Sequence, residues 1–206
     1  GPGFSGVKDV RASLARADLG GALNTRELMD IARVLQCARL VRGYIADDSV
    51  GKTTIDSLFY ALRANKFLEE KINTSIVGED EIADSASPEL MSIRRQMRAA
   101  AARARDVLTK IISSPSYAKA LQEPIITMRS DRYVVPVKAD HKGAVPGLVH
   151  DISASGMTLF IEPMGAVKAN NELRELNARE KIEIDRILAE LSADCAEHKD
   201  DIESDF

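Results

Sequence analysis

Apolar side chains return every three or four positions along residues 88–112, at Leu90, Ile93, Met97, Ala100, Ala104, Leu108 and Ile111. That spacing lines one side of a helix, in the manner of a coiled-coil seam. Ser87-Pro88-Glu89 predicts its start, with a serine cap, a proline in the first turn and an acid at the positive end of the helix dipole. Ser113–Pro115 predicts its end. A second stripe, Leu173, Leu176, Ile184, Ile187, Leu191 and Cys195, predicts a helix opened by Pro163 and interrupted only at Glu180. At about 40 residues it would span roughly 60 Å. Shorter helices are predicted over 7–18, over 25–46 (Leu28, Ile31, Leu35, Ala38, with Asn24 or Thr25 as cap) and over 55–72 (Leu58, Leu62, Leu68). Residues 73–86 read as a polar connection.

Between residues 122 and 163 the period changes to two. Tyr133, Val135 and Val137 alternate, then Leu148, His150 and Ile152, then Met157, Leu159 and Ile161. Turn residues bound these runs at Ser130-Asp131, Gly143, Pro146-Gly147 and Ser155-Gly156, so the block predicts a small antiparallel β module. The expected fold is mainly α with a small antiparallel β insertion. It comprises a helical core (4–83), an ascending helix (84–121), the β module (122–163) and a descending helix (164–206), the two long helices pairing antiparallel with the sheet at their tip.

Charge sharpens this picture. The chain has 206 residues and a formal net charge of −4, which argues against coating nucleic acid by bulk charge. The charge is nevertheless uneven. Residues 88–121 carry seven bases against two acids, whereas 164–206 carry six against twelve, an asymmetry that favours pairing the two helices with each other. Two cysteines without metal-site spacing, no signal peptide and no apolar run of membrane-spanning length fit a cytoplasmic chain away from membranes.

Candidate chemistry is sparse. Val50-Gly51-Lys52-Thr53-Thr54 imitates the end of a phosphate-binding loop, but position 46 is Ala and no strand precedes it, so a loop and helix start is expected. His150-Asp151 with Ser153 and Ser155 offers the residue types of a hydrolytic triad, but neighbours on one strand point to opposite faces and no nucleophile elbow occurs, so strand and turn polar groups are expected. The three histidines are too dispersed in sequence to suggest a metal site. Arg129, Arg132, Lys138, His141 and Lys142 surround the first hairpin, where they suit phosphate contacts or, equally, solvated turns.

The segments DSASPELMSIRRQMR, ITMRSDRYVVPVKADHKGAVPGLVHDISASGMTLFIEP and NNELRELNAREKIEIDRIL resemble the MutS-two family, bacterial paralogues of the mismatch-repair protein MutS, over roughly 84–192. Residues 4–46 resemble it more loosely. The resemblance implies a helical core extending two lever helices to a clamp, with the clamps of a homodimer closing on nucleic acid. It implies a whole protein that binds ATP and Mg, has an associated nuclease domain, and acts on branched DNA to suppress recombination or splits collided ribosomes. Neither the ATPase motifs nor the nuclease domain occur in these 206 residues. The implied chain is therefore an N-terminal core, lever and clamp fragment with no cofactor or catalysis of its own. Apart from the resemblance, a coiled-coil module binding only protein is also compatible with the pattern.

Overall fold

The computed structural model describes residues 9–46 and 52–203, which form two compact units. One unit takes residues up to Met91 together with those from Ile182 onward, and the other takes Ser92–Lys181. The chain is mainly α with a small antiparallel β insertion, as its periodicities predict.

The first unit contains α1 (Arg11–Asp18), α2 (Thr25–Ala46) and α3 (Lys52–Ser75). Asn24 is the cap of α2: its Oδ1 accepts from the Glu27 amide at 2.9 Å, while Glu27 returns to accept the Asn24 amide at 3.3 Å. Reciprocal capping of this kind satisfies two backbone donors that would otherwise lack partners. Val50 and Gly51 lie outside the described residues, as do the side chains of Leu58 and Leu62; Lys52 begins a helix.

The predicted polar connection at 73–86 instead holds a hairpin, β1 (Ile76–Gly78) with β2 (Glu81–Ile82). Its two isoleucines face each other in the pairing and are buried. Polarity of the intervening turn hid this short pair, and Asp80 at φ 57° closes it by donating its amide to Thr25 Oγ1 at 3.0 Å. The core joins Leu14, Leu28, Ile31, Leu35, Leu68, Ile72, Leu90, Ile187, Leu191 and Cys195.

The helix predicted from Ser87 is α4 (Pro88–Ile112), and Ser87 Oγ caps it by accepting the Leu90 amide at 3.0 Å. The descending helix is shorter than expected. Pro163 closes a strand, a 3-10 turn follows at Met164–Ala166, and α5 runs Val167–Glu197, with α6 (Lys199–Glu203) after a break. Thirty-one residues make it about 46 Å long.

The second unit is built on α4 and α5 segments that run antiparallel, Arg94 pairing with Glu180 at 3.0 Å and Arg103 with Glu172. Glu180, the interruption in the apolar stripe, is thus the partner of an arginine. The predicted charge asymmetry contributes less than expected, because nine of the twelve acids in 164–206 follow Lys181. Those of them that lie among the described residues belong to the first unit, where Lys71 bridges Glu190 and Asp194.

The sheet has four strands in the order β3 (Thr127–Arg129), β4 (Arg132–Lys138), β6 (Thr158–Pro163) and β5 (Gly147–Ile152), all neighbours antiparallel. Short β3 was not expected from the pattern. Ser130 and Asp131 both have positive φ, which a two-residue type I′ hairpin turn requires. Val135, Val137, Leu159 and Ile161 form a common core with Ala100, Ala104, Leu108, Leu173 and Leu176. The expected one-sided alternation of Leu148, His150 and Ile152 fails at a bulge between Val149 and Asp151. It sets Leu148 opposite Glu162 but Ile152 opposite Leu159, on the two different faces of β6.

Candidate nucleic-acid interface

Strand β4 is buried along nearly its whole length, including Arg132. A guanidinium withdrawn from water needs a countercharge, and Glu162 on β6, fully buried, supplies it. Arg132 Nε donates to Glu162 Oε2 at 2.8 Å, and Arg132 Nη2 donates to Asn171 Oδ1 at 2.8 Å. The other carboxylate oxygen meets His150 Nε2 at 2.8 Å. Asn170 Nδ2 donates to Oε2 at 2.7 Å. Burial alone would raise the Glu162 carboxyl, but the hydrogen bonds from His150, Arg132 and Asn170, together with the Arg132 charge, hold it below the ordinary glutamate range.

Asn170 also completes the sheet. The register that sets Val135 opposite Ile161 sets Tyr133 opposite Pro163, which has no N–H. The Asn170 carboxamide takes that place, accepting the Tyr133 amide at 3.2 Å and donating to the Tyr133 carbonyl at 3.3 Å. A side chain from the first turn of α5 thus behaves as one more residue of β6.

The five expected contact residues divide. Arg132 is an interior residue, its charge spent on Glu162 and Asn171 rather than directed at solvent. Arg129 ends β3 with its guanidinium 4.1 Å from the Phe160 ring centroid and its Nε 3.3 Å from Asp151 Oδ2. Lys138 ends β4, and His141 and Lys142 lie on the connection that leaves it, where Lys142 is exposed and His141 Nδ1 lies 2.9 Å from Asp140 Oδ1. That contact holds the Asp140 carboxyl below its ordinary value. The bulge sets His150 and Asp151 on the same face, with Phe160 and Glu162, contrary to the alternation expected of strand neighbours, yet they take separate partners, Glu162 and Arg129.

Sequence reasoning passed over Glu162, Asn170 and Asn171. The available signal was a lone carboxylate between Ile161 and Pro163 in an otherwise apolar strand. Among the described residues, no group of three His, Cys, Asp or Glu is placed to hold a metal ion, and no helix is long and apolar enough to cross a membrane.

No family model matches the chain. Individual curated proteins do. It is 53% identical over 197 residues to "Endonuclease MutS2" of Ruminiclostridium cellulolyticum, covering 95% of this chain and 25% of that protein. It is 51% identical over 193 residues to the protein of the same name from Pelotomaculum thermopropionicum, covering 94% and 25%. With that of Alkaliphilus oremlandii it shares 45% over 203 residues, covering 98% and 26%. The chain therefore spans about a quarter of the length of the curated relatives it matches.

Proposed function

The chain belongs to the MutS2 family, and on that premise we propose that it is the part of a MutS2 protein that grips branched nucleic acid and transmits conformational change, leaving chemistry to the rest of the protein. The observation that carries the reading is the buried Arg132–Glu162–His150–Asn170 network. It ties three strands to the first turn of α5, so the sheet and its supporting helices behave as one stiff body. A gripping element has to be stiff if displacement of a helix is to reach the ligand undiminished. ATP and Mg would bind elsewhere in the whole protein, as would the catalytic groups of the endonuclease that its relatives are named for.

Fluorescence anisotropy of this chain with a labelled four-way DNA junction tests the reading. Binding that weakens steeply with salt is expected, because phosphate contacts release counterions. Absence of binding at low salt, or retention on ribosomes in place of the junction, overturns it.

A further inference from the structure

Strand β5 lies at one edge of the four-stranded sheet, and five of its six residues are exposed. The pairing register decides which of its backbone groups face outward. Pro136 has no N–H, and its carbonyl accepts the Gln122 amide at 3.0 Å, so it bonds away from β6. Alternation along the ladder then turns Val135 toward β6, Ile161 toward β4, and Phe160 and Glu162 toward β5. Leu148, opposite Glu162, therefore bonds inward. So does Pro146, whose carbonyl accepts the Met164 amide at 3.1 Å. Gly147 and Val149 are left with both N–H and C=O directed at solvent. The free edge ends there. Beyond Val149 a bulge shifts the ladder, and the Ile152 amide is taken by Asp151 Oδ1 at 2.9 Å. Such devices stop an edge from pairing along its whole length, and they leave a three-residue window, Gly147-Leu148-Val149.

We infer that this window pairs antiparallel with the same window of a second copy of the chain, joining two sheets edge to edge. Around a two-fold axis through Leu148, Gly147 of each copy exchanges both of its bonds with Val149 of the other. Every outward backbone group on both strands is then satisfied. Neighbouring centres fail. One on Val149 sets Gly147 against the bulge, and one on Gly147 sets Val149 against buried Val145. The side chains agree with the central choice. Leu148, 47% exposed, meets its counterpart at the axis, and Val149 lies opposite a glycine that cannot crowd it. The two Asp151 carboxylates, three residues from the axis on opposite sides, stay about 20 Å apart. A loose peptide would have to order its chain for the few bonds this window offers, whereas a second copy brings a strand already held in a sheet. The inference does not rest on the nucleic-acid reading and is tested without nucleic acid.

The test uses the 206-residue chain carrying Cys37→Ser, which leaves buried Cys195 as its remaining native thiol. Leu148→Cys, Val149→Cys and Ile152→Cys are added singly, oxidised with copper phenanthroline and followed by non-reducing electrophoresis. Residues facing each other in a non-hydrogen-bonded pair lie about 4.5 Å apart at Cα, within disulfide reach, so Leu148→Cys should form a covalent dimer roughly tenfold faster than the other two. Equal rates at the three exposed positions would reflect random collision and overturn the inference. Sedimentation equilibrium of the uncrosslinked chain should show a concentration-dependent dimer. Val149→Pro, which removes one outward N–H at an edge position where proline is tolerated, should weaken that dimer by roughly tenfold. Should Val149→Pro detach β5, seen as rapid hydrogen exchange at 147–152, Leu148→Lys supplies the same reading by setting like charges opposite each other at the axis. A dimer indifferent to Leu148→Lys, or a parent chain that stays monomeric up to about 1 mM, overturns the inference.

Discussion

Removing the Glu162 carboxylate should loosen the second unit more than any surface substitution. Glu162 is fully buried and Arg132 is 7% exposed, so solvent screens their attraction little. Breaking such a pair from one side leaves a buried, uncompensated charge, at a cost of about 3–5 kcal/mol. Glu162→Ala strands Arg132 and also withdraws the acceptor used by His150 and Asn170. Glu162→Gln is more discriminating. Its carbonyl can keep the Arg132 and Asn170 bonds while its amide donates to a neutral His150, so what it mainly loses is the countercharge. Adding Arg132→Met should then restore most of the stability, because a buried pair replaced as a whole by neutral side chains is often tolerated.

Hydrogen exchange read by mass spectrometry on peptides covering 132–138 and 158–163 measures this directly, with peptides from α2 as internal reference. A loss of 3–5 kcal/mol corresponds to roughly two to three and a half orders of magnitude in protection. Less than a fivefold change for Glu162→Ala would refute the argument that this ion pair holds the sheet. The pH dependence has a fixed sign. The folded carboxyl titrates below its ordinary value of 4.5, so its contribution is full above that value and is lost as pH falls through the lowered one.

Gly147→Ala would place a Cβ 2.0 Å from the Glu162 carbonyl oxygen, a backbone overlap that no rotamer relieves; β5 should detach, at a cost of at least about 1–3 kcal/mol, seen as rapid exchange at 147–152. Asn170→Ala orphans both backbone groups of Tyr133 and one donor to Glu162. At about 1–3 kcal/mol per unsatisfied group, it should lower the urea midpoint with an unchanged m-value. Burial, with a smaller contribution from Asp194, pushes the Cys195 thiol up to about 12. Iodoacetamide at pH 8 should therefore modify half-buried Cys37 first and reach Cys195 only on unfolding, as peptide mass mapping would reveal.

The long helices were legible because their stripes are strong and their caps local. Ser87 caps α4 and Asn24 caps α2, and each signal lies within three residues of its helix. The hairpin at 76–82 was not legible: two isoleucines around a charged turn leave no periodicity to count. The end of α5 was misjudged because the helical pattern continues through the break near His198. The candidate contacts were legible as charges but not as exposures. Nothing local distinguishes Arg132, drawn inward by a carboxylate 30 positions away, from Lys142, left in water. Likewise, charge counting does not separate Arg94 and Arg103, which meet Glu180 and Glu172 on α5, from Arg105, which lies over the Tyr133 ring instead.

The carboxamide that stands in for the backbone opposite Tyr133 also constrains how the gene can change length. Six residues, Met164–Ala169, separate Pro163 from Asn170. Adding or deleting one of them would rotate Asn170 by about 100° around α5, away from both Tyr133 and Glu162. The exposed turns at Ser130-Asp131 and Ser153–Gly156 carry no such link between helix and sheet. Insertions and deletions among relatives should therefore gather in those turns and leave the six-residue spacing untouched.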